Sequence, residues 1–411
     1  MPEFLTLIYL FYSFIGFYFL FLFILVYAKN KDEFFSVPKL TKNYSLSIVI
    51  PCYNEGKSIG GVIESLLNSS YVGLKKIIVV DDCSTDNSYE IIKKYEKKYN
   101  IVFVVKTPKM MGKASCSKNY GAKFTDTELI GFVDADSYPE KDAITKMIGF
   151  FDDKEIAAVT ASIFVKRMDK FIEKLQSVEY KIIVFSRKLL GFIDAIYVTP
   201  GPLAIYRKKY FDKVGRFDEE NYTEDIELTW NFLSKGYKVG MSVPSKAYTI
   251  VPDNTKDWYR QRIRWNIGGL QAINKYKKTF LKRGIFGSFV FPFFVLSWVL
   301  GILGIGILIY RSFRRVFINY LVAKYSISAQ TALFSLREIN LTPSVLVFFG
   351  TAFMIISLSF TLLALSYTKE KGFKRTGLLN ILVYSFIYLL AYPFIVINSI
   401  IKYLSIKQKL L

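Results

Sequence analysis

Hydrophobic positions along this chain follow two regimes. Four stretches carry no charged side chain over enough residues for a helix to cross a bilayer: Phe4 to Ala28, Ile285 to Tyr310, Leu341 to Thr368 and Thr376 to Ile401. Core helices of soluble proteins are rarely that long and that apolar. The first stretch has neither the basic leader nor the small-residue cleavage pattern of a signal peptide. Between about Ser45 and Arg283 the pattern changes to short β-branched runs alternating with amphipathic segments, which predicts an α/β domain. Strands are expected over Leu46–Pro51, Lys76–Asp81, Ile101–Val105 and Leu129–Asp134, and helices near Ser58–Leu67, Asp86–Lys98 and Lys113–Phe124. The strands are apolar almost throughout, so the sheet should be mostly parallel and covered on both faces, with ligands bound beyond the carboxyl ends of its strands.

These regimes divide the chain into an N-terminal membrane helix and linker (1–44), an α/β domain (45–255), an amphipathic interface helix (256–284) and a C-terminal region of about three spans (285–411). Lys29 and Lys31 follow the first span, and the positive-inside tendency places them and the α/β domain on the cytoplasmic side of the plasma membrane. The segment Arg311 to Asn340 would then be external, yet it carries Arg311, Arg314, Arg315, Lys324 and Arg337; a re-entrant pair or an interfacial helix would reconcile this.

Charge and composition narrow the chemistry. The 55 Lys and Arg residues against 34 Asp and Glu give +21, and a basic cluster of Lys275, Lys277, Lys278, Lys282 and Arg283 just before the second span suits anionic lipid head groups. No nucleic-acid motif accompanies the basic residues. Three cysteines, Cys52, Cys83 and Cys116, are too few for a disulfide framework and fit a reducing compartment. Histidine is absent, which leaves carboxylates as the acid–base groups.

Those carboxylates stand at strand and helix ends. The second strand ends in Asp81-Asp82, adjacent charges that repel unless a hydrogen-bonded ligand or a cation separates them, whereas Asp86 reads as a cap for the next helix. The fourth strand delivers Asp134 and Asp136, one residue apart, to a position where both could meet a hard divalent cation, Mg2+ or Mn2+, bridging to phosphate oxygens. Thr223-Glu224-Asp225 opens a helix expected over Ile226–Ser234, and the helix N-terminus should keep such a carboxylate ionised and fit to act as a base. Gln261, Arg264 and Trp265 share one face of a helix expected over Lys256–Arg283, so an amide, a guanidinium and an indole can address one ligand.

Asp-Asp, Asp-x-Asp, Thr-Glu-Asp and Gln-x-x-Arg-Trp occur here unaltered and in sequence, and from about Ser45 to Gly269 the chain resembles the processive, membrane-bound glycosyltransferases of family 2. That group contains cellulose, chitin and hyaluronan synthases and the bacterial poly-N-acetylglucosamine synthases. The resemblance implies a GT-A nucleotide-sugar-binding domain with a mostly parallel sheet, joined to transmembrane and interface helices. It implies that Pro51, Tyr53 and Glu55 with Asp81 and Asp82 hold the nucleobase and ribose of a UDP-sugar, with Lys113 beside the nucleotide. It further implies that Asp136, assisted by Asp134, meets the metal, and that Asp225, with Glu224 beside it, is the general base. Gln261, Arg264 and Trp265 would hold the diphosphate and line the acceptor site, and Gly201 falls in an acceptor loop, Thr199-Pro-Gly-Pro-Leu203, whose sequence departs from the cellulose-synthase form. The expected reaction is inverting transfer of a hexose or N-acetylhexosamine to a growing polysaccharide. Transfer of one sugar to a membrane lipid is the alternative, and a channel or scaffold with an inactive transferase domain would have no use for the intact carboxylates.

Overall fold

The structure is a computed structural model that describes residues 2–282, 284–329, 345–367 and 373–408. Arg283, Arg337 and the two ends of the third apolar stretch (341–344 and 368) lie outside the described residues. One eight-stranded sheet organises the α/β domain. Its strands are β1 (Leu46–Cys52), β2 (Leu74–Asp81), β3 (Val102–Lys106), β4 (Leu129–Phe132), β5 (Ser137–Pro139), β6 (Ile156–Val165), β7 (Ala204–Arg207) and β8 (Lys238–Thr249), in the order β3-β2-β1-β4-β7-β6-β8-β5. β3, β2, β1 and β4 are mutually parallel, as are β6 and β8; β7 runs antiparallel between β4 and β6, and β5 runs antiparallel on β8.

The helices are α1 (Pro2–Asn30), α2 (Ile59–Leu67), α3 (Ser88–Lys98), α4 (Ala114–Ala122), α5 (Thr145–Ile148), α6 (Phe171–Gly191), α7 (Lys208–Val214), α8 (Glu224–Ser234), α9 (Thr255–Tyr276), α10 (Phe291–Ser328), α11 (Val345–Tyr367), α12 (Phe373–Val383) and α13 (Leu389–Gln408). The strands read as unbroken apolar runs because both faces of the sheet are covered. Alternate side chains enter different cores: Val49, Val80 and Phe132 on one side, Ile48, Ile50 and Val79 on the other. α4 lies so close to the sheet that a Cβ at Gly121 would meet the side chains of Val49 and Val80 at 2.5 and 2.6 Å.

Among the described residues, four helical segments are long and apolar enough to span a bilayer: Thr6–Glu33, Phe286–Ser328, Gly350–Tyr367 and Gly377–Ser405. α1 packs on α11, α10 on α13, and α6 touches both the sheet and α11 and α12, so α6 is the joint between the α/β domain and the apolar helices. Two sequence expectations change at the edges. α9 does not run on to residue 283; it stops at Tyr276, followed by a 3-10 turn at Lys277–Thr279, and Leu281 and Gly284 take left-handed φ values of 55° and 62° to redirect the chain into α10. Within the basic cluster there, Lys275, though partly exposed, pairs with Asp218 and Glu227 of the α/β domain at 2.7 and 2.6 Å. Past Tyr310 the described residues continue as helix as far as Ser328. α10 continues unbroken for 38 residues, about 57 Å at the ordinary helical rise, against about 30 Å of bilayer hydrocarbon. Arg311, Arg314, Arg315 and Lys324 therefore ride on a helical extension whose residues 311–320 are all exposed.

Candidate active site

A cavity of about 750 Å³ opens beyond the carboxyl ends of β1 and β4, where the strand order reverses. It gathers Pro51, Tyr53, Glu55, Asp82, Lys113, Asp134, Asp136, Gly201, Glu224, Asp225, Gln261, Arg264 and Trp265, which are nearly all of the site residues expected from sequence. Asp81 is the exception. It is fully buried under the floor, where one carboxylate oxygen accepts the Ser84 amide at 3.4 Å and the other has no partner among the described residues.

Asp82, its neighbour, builds the wall. Its two oxygens accept the backbone amides of Met111 and Gly112 at 2.8 and 3.0 Å and the Thr107 hydroxyl at 2.9 Å, which folds the loop before α4 over the end of β2. Gly112 takes φ 72° at that bend, a conformation that disfavours any residue with a Cβ. Lys113 then donates to the Glu219 carbonyl at 2.7 Å across the cavity mouth. Asp86 accepts the Ser88 amide at the start of α3, the capping role expected of it, and also the Gly56 amide, both at 3.0 Å, which ties the loop after β1 to the loop after β2.

The two carboxylates of the Asp-x-Asp run differ. Asp136 is mostly enclosed and accepts the Ser137 hydroxyl at 3.0 Å; burial first, and the charge of Asp134 second, push its carboxyl up to about 6. Asp134 pairs at 3.1 Å with Lys118, a buried lysine that also reaches Glu224 at 2.9 Å. Gly201 packs directly on Asp134: a Cβ there would fall 2.3 Å from a carboxylate oxygen. The loop that carries Gly201 is fixed by Thr199, whose hydroxyl lies 2.8 Å from that of Tyr206 and 2.9 Å from that of Thr229 on α8. Among the described residues no group of three or more His, Cys, Asp or Glu side chains forms a closed cage. Two crowded carboxylates open to a cavity fit a hard cation that completes its shell with ligand phosphate oxygens.

The start of α8 supplies the second carboxylate pair. The helix end was expected to hold Asp225 ionised, but burial and the charge of Glu224 outweigh the helix end, Lys118 and Arg264, and raise the Asp225 carboxyl to about 6. Burial also opposes ionisation of Glu224, yet the Lys118 ammonium holds it below the ordinary carboxylate range. α8 is set by α9: the two helices touch at Gly268, where a Cβ would meet the Thr223 hydroxyl at 1.9 Å, so only glycine lets α9 lie against the residue that precedes Glu224. On α9 itself, Gln261 accepts from Arg262 at 2.6 Å, and the Arg262 guanidinium stacks 4.1 Å from the Trp265 ring centre. Arg262 is buried and anchored by Glu179 on α6 at 2.5 Å and by the Tyr392 hydroxyl on α13 at 3.0 Å. The Gln-x-x-Arg-Trp face is thus braced against a membrane helix.

Sequence reading missed Lys118, Arg187, Tyr197, Phe294 and Trp298, all of which line the same cavity. A lysine in a lysine-rich chain and aromatics inside an apolar span gave no local signal.

The sheet core with carboxylates at the crossover of its strand order is GT-A-like, the architecture of nucleotide-sugar-dependent transferases. A mannosyltransferase from Pyrobaculum calidifontis, solved in complex with GDP-Man and Mn2+, shares that fold with a TM-score of 0.61 at 16% identity, over 96% of this chain and 98% of that one. Residues 47–215 match the model of glycosyl transferase family 2. The poly-beta-1,6-N-acetyl-D-glucosamine synthase of Staphylococcus aureus (strain COL) is 28% identical over 252 residues, 60% of this chain and 59% of that protein. The synthase of the same name from Staphylococcus epidermidis is 29% identical over 233 residues, 56% of this chain and 55% of that protein. The chain thus matches somewhat less than three fifths of the length of these relatives.

Proposed function

We propose that the chain is a membrane-embedded inverting glycosyltransferase that moves a hexose or N-acetylhexosamine from a UDP-sugar to the end of a growing polysaccharide. The observation that carries this reading is the convergence of Asp82, Asp134, Asp136, Asp225, Gln261, Arg264 and Trp265 on one cavity. The nucleoside would lie along the strand ends against Pro51, Tyr53, Glu55 and Asp82, with Lys113 at the mouth. Asp136 and Asp134 would hold Mg2+ or Mn2+, which when bound neutralises the leaving diphosphate. Arg264 and Gln261 orient that diphosphate from the α9 side, and Trp265 offers an apolar face to the acceptor sugar. Asp225, ionised above about pH 6, takes the acceptor hydroxyl's proton as its oxygen bonds to the sugar's anomeric carbon and the bond to the diphosphate breaks. Glu224 and Lys118 keep charge balanced beside it. Lys29 and Lys31 favour a cytoplasmic catalytic domain, where UDP-sugars are made.

Transfer to a membrane lipid is the second reading, favoured by Phe294 and Trp298, two side chains of an apolar spanning helix that line the catalytic cavity. Incubating the full chain in nanodiscs with radiolabelled UDP-sugars and Mg2+ or Mn2+ separates the two: a ladder of long products supports extension, and one solvent-extractable glycolipid replaces it with lipid transfer. Asp225→Asn should lower turnover by about a hundredfold or more with donor binding retained. Unchanged turnover in that variant would remove the base assignment.

A further inference from the structure

Two buried arginines stand close to this cavity, and their partners differ. Arg262, 1% exposed, is satisfied by Glu179, Tyr392 and Gln261. Arg187, 8% exposed, lines the cavity and forms no hydrogen bond or ion pair among the described residues. An enclosed guanidinium cannot shed its proton at any working pH, and leaving it without an anion or acceptor costs several kcal/mol. Asp225 is the carboxylate whose charge favours Arg187, but none of the arginine's N–H groups meets an acceptor among the described residues, which leaves the guanidinium's hydrogen-bonding capacity to a ligand anion in the cavity.

The surroundings say what kind of anion. Arg187 lies one helical turn beyond Ile183 and Val184 on the cavity face of α6, and Tyr197, Phe294 and Trp298 line the same cavity. Tyr197 stacks edge-on to Phe294 at 5.4 Å, and Phe294 lies 5.2 Å from Trp298, so the aromatics form one continuous wall that runs onto the spanning helix α10. The ionisable groups that act on Arg187 are Tyr197, Asp225 and Tyr180, which put it on the base side of the cavity and not beside Asp82 or Lys113. A buried cation that forms no ion pair among the described residues, at the head of an apolar wall running onto α10, matches an amphiphile with an anionic head and a hydrocarbon tail.

We propose, resting on the transferase reading above, that Arg187 heads an acceptor subsite for a phosphorylated lipid, its guanidinium binding the phosphate or diphosphate while Ile183, Val184, Phe294 and Trp298 hold the first part of the chain. The planar guanidinium can take two phosphate oxygens at once, which a lysine cannot. Polysaccharide growth on this enzyme then starts from a lipid-borne phosphate that enters from the bilayer.

The test is equilibrium binding to the full chain in neutral detergent, with hexadecyl phosphate, hexadecanol, inorganic phosphate and UDP with Mn2+ as probes. Hexadecyl phosphate should bind about tenfold or more tighter than either hexadecanol or inorganic phosphate, and it should bind together with UDP. Arg187→Gln should erase the preference for phosphate over alcohol while UDP affinity stays within about twofold, and Arg187→Lys should restore part of the preference. Competition between UDP and hexadecyl phosphate on the native protein, which needs no variant to fold, would assign the anion to the donor site and overturn the proposal. Equal affinity for inorganic and alkyl phosphate would overturn the lipid, and equal affinity for alkyl phosphate and alcohol would overturn the subsite. Failure of the native protein to bind UDP at all would instead remove the transferase reading on which the subsite rests.

Discussion

The two halves of the cavity are made by different means. The half at the strand ends is built almost wholly from main-chain geometry: Asp82 holds two backbone amides, Asp86 ties two neighbouring loops, and Asp134 and Asp136 leave the end of β4 in a fixed register. The half beneath α8, α9 and α10 has no such frame. Asp225 depends on a glycine contact between α8 and α9, Gln261 and Trp265 depend on Arg262, and Arg262 depends on Tyr392 of a spanning helix. A sheet can fix its half of the cavity through its own main chain, whereas the other half rests on side-chain contacts between helices, one of them apolar enough to span a bilayer.

This difference can be broken where it is weakest. Arg262→Leu leaves Glu179 buried beside two tyrosine hydroxyls with no cation, and loss of one partner from such a pair should cost about 3 to 5 kcal/mol. A thermal unfolding midpoint in detergent would register it, and a midpoint equal to the native one would show that the α9 brace is ornamental. On the strand-end side, Gly201→Ala forces a Cβ onto the Asp134 carboxylate. Turnover should fall about a hundredfold, with far-UV circular dichroism unchanged and the Mn2+ requirement raised. A fully active variant would show that the Gly201 contact with Asp134 does not bear on turnover.

The pH profile sharpens the comparison further. Asp225 must be ionised to accept a proton, and its carboxyl is raised to about 6, so turnover at saturating donor and cation should be full above neutrality and fall as the medium is acidified. At pH 5 it should be about a tenth of its value at pH 7. A flat profile across that interval would mean that Asp225 is not the base. The smallest effect belongs to the rim: Lys275 pairs with Asp218 and Glu227 but is nearly half exposed, so Lys275→Ala should change stability by about 1 kcal/mol or less.

The strand-end half was also the legible half. Strand periodicity located β1 to β4 within a residue or two, and because a parallel strand ends where its ligand binds, the polar residues after each run identified themselves. Asp81 was misjudged for the reason that makes strands readable: side chains alternate, so of two adjacent aspartates one faces the cavity and the other goes under the sheet end. Lys118 and Arg187 carried no such signature. Each sits on a helix among other basic residues, and only the packing of α4 against the Thr-Glu-Asp helix, or of α6 against α10, tells a buried cation from a solvated one.

By itself the sequence determined the apolar spans, the order of strands and helices in the first half of the α/β domain, and the carboxylate and Gln-x-x-Arg-Trp motifs, because each is written in a local period or a contiguous run. Tertiary structure alone decided that Lys275 pairs with Asp218 and Glu227, that burial and the charge of Glu224 raise the Asp225 carboxyl to about 6, and that Arg262 forms an ion pair with Glu179 while Arg187 forms none among the described residues. Those are properties of distances between segments tens of residues or more apart, and neither charge pairing nor desolvation exists until the chain has brought such segments together.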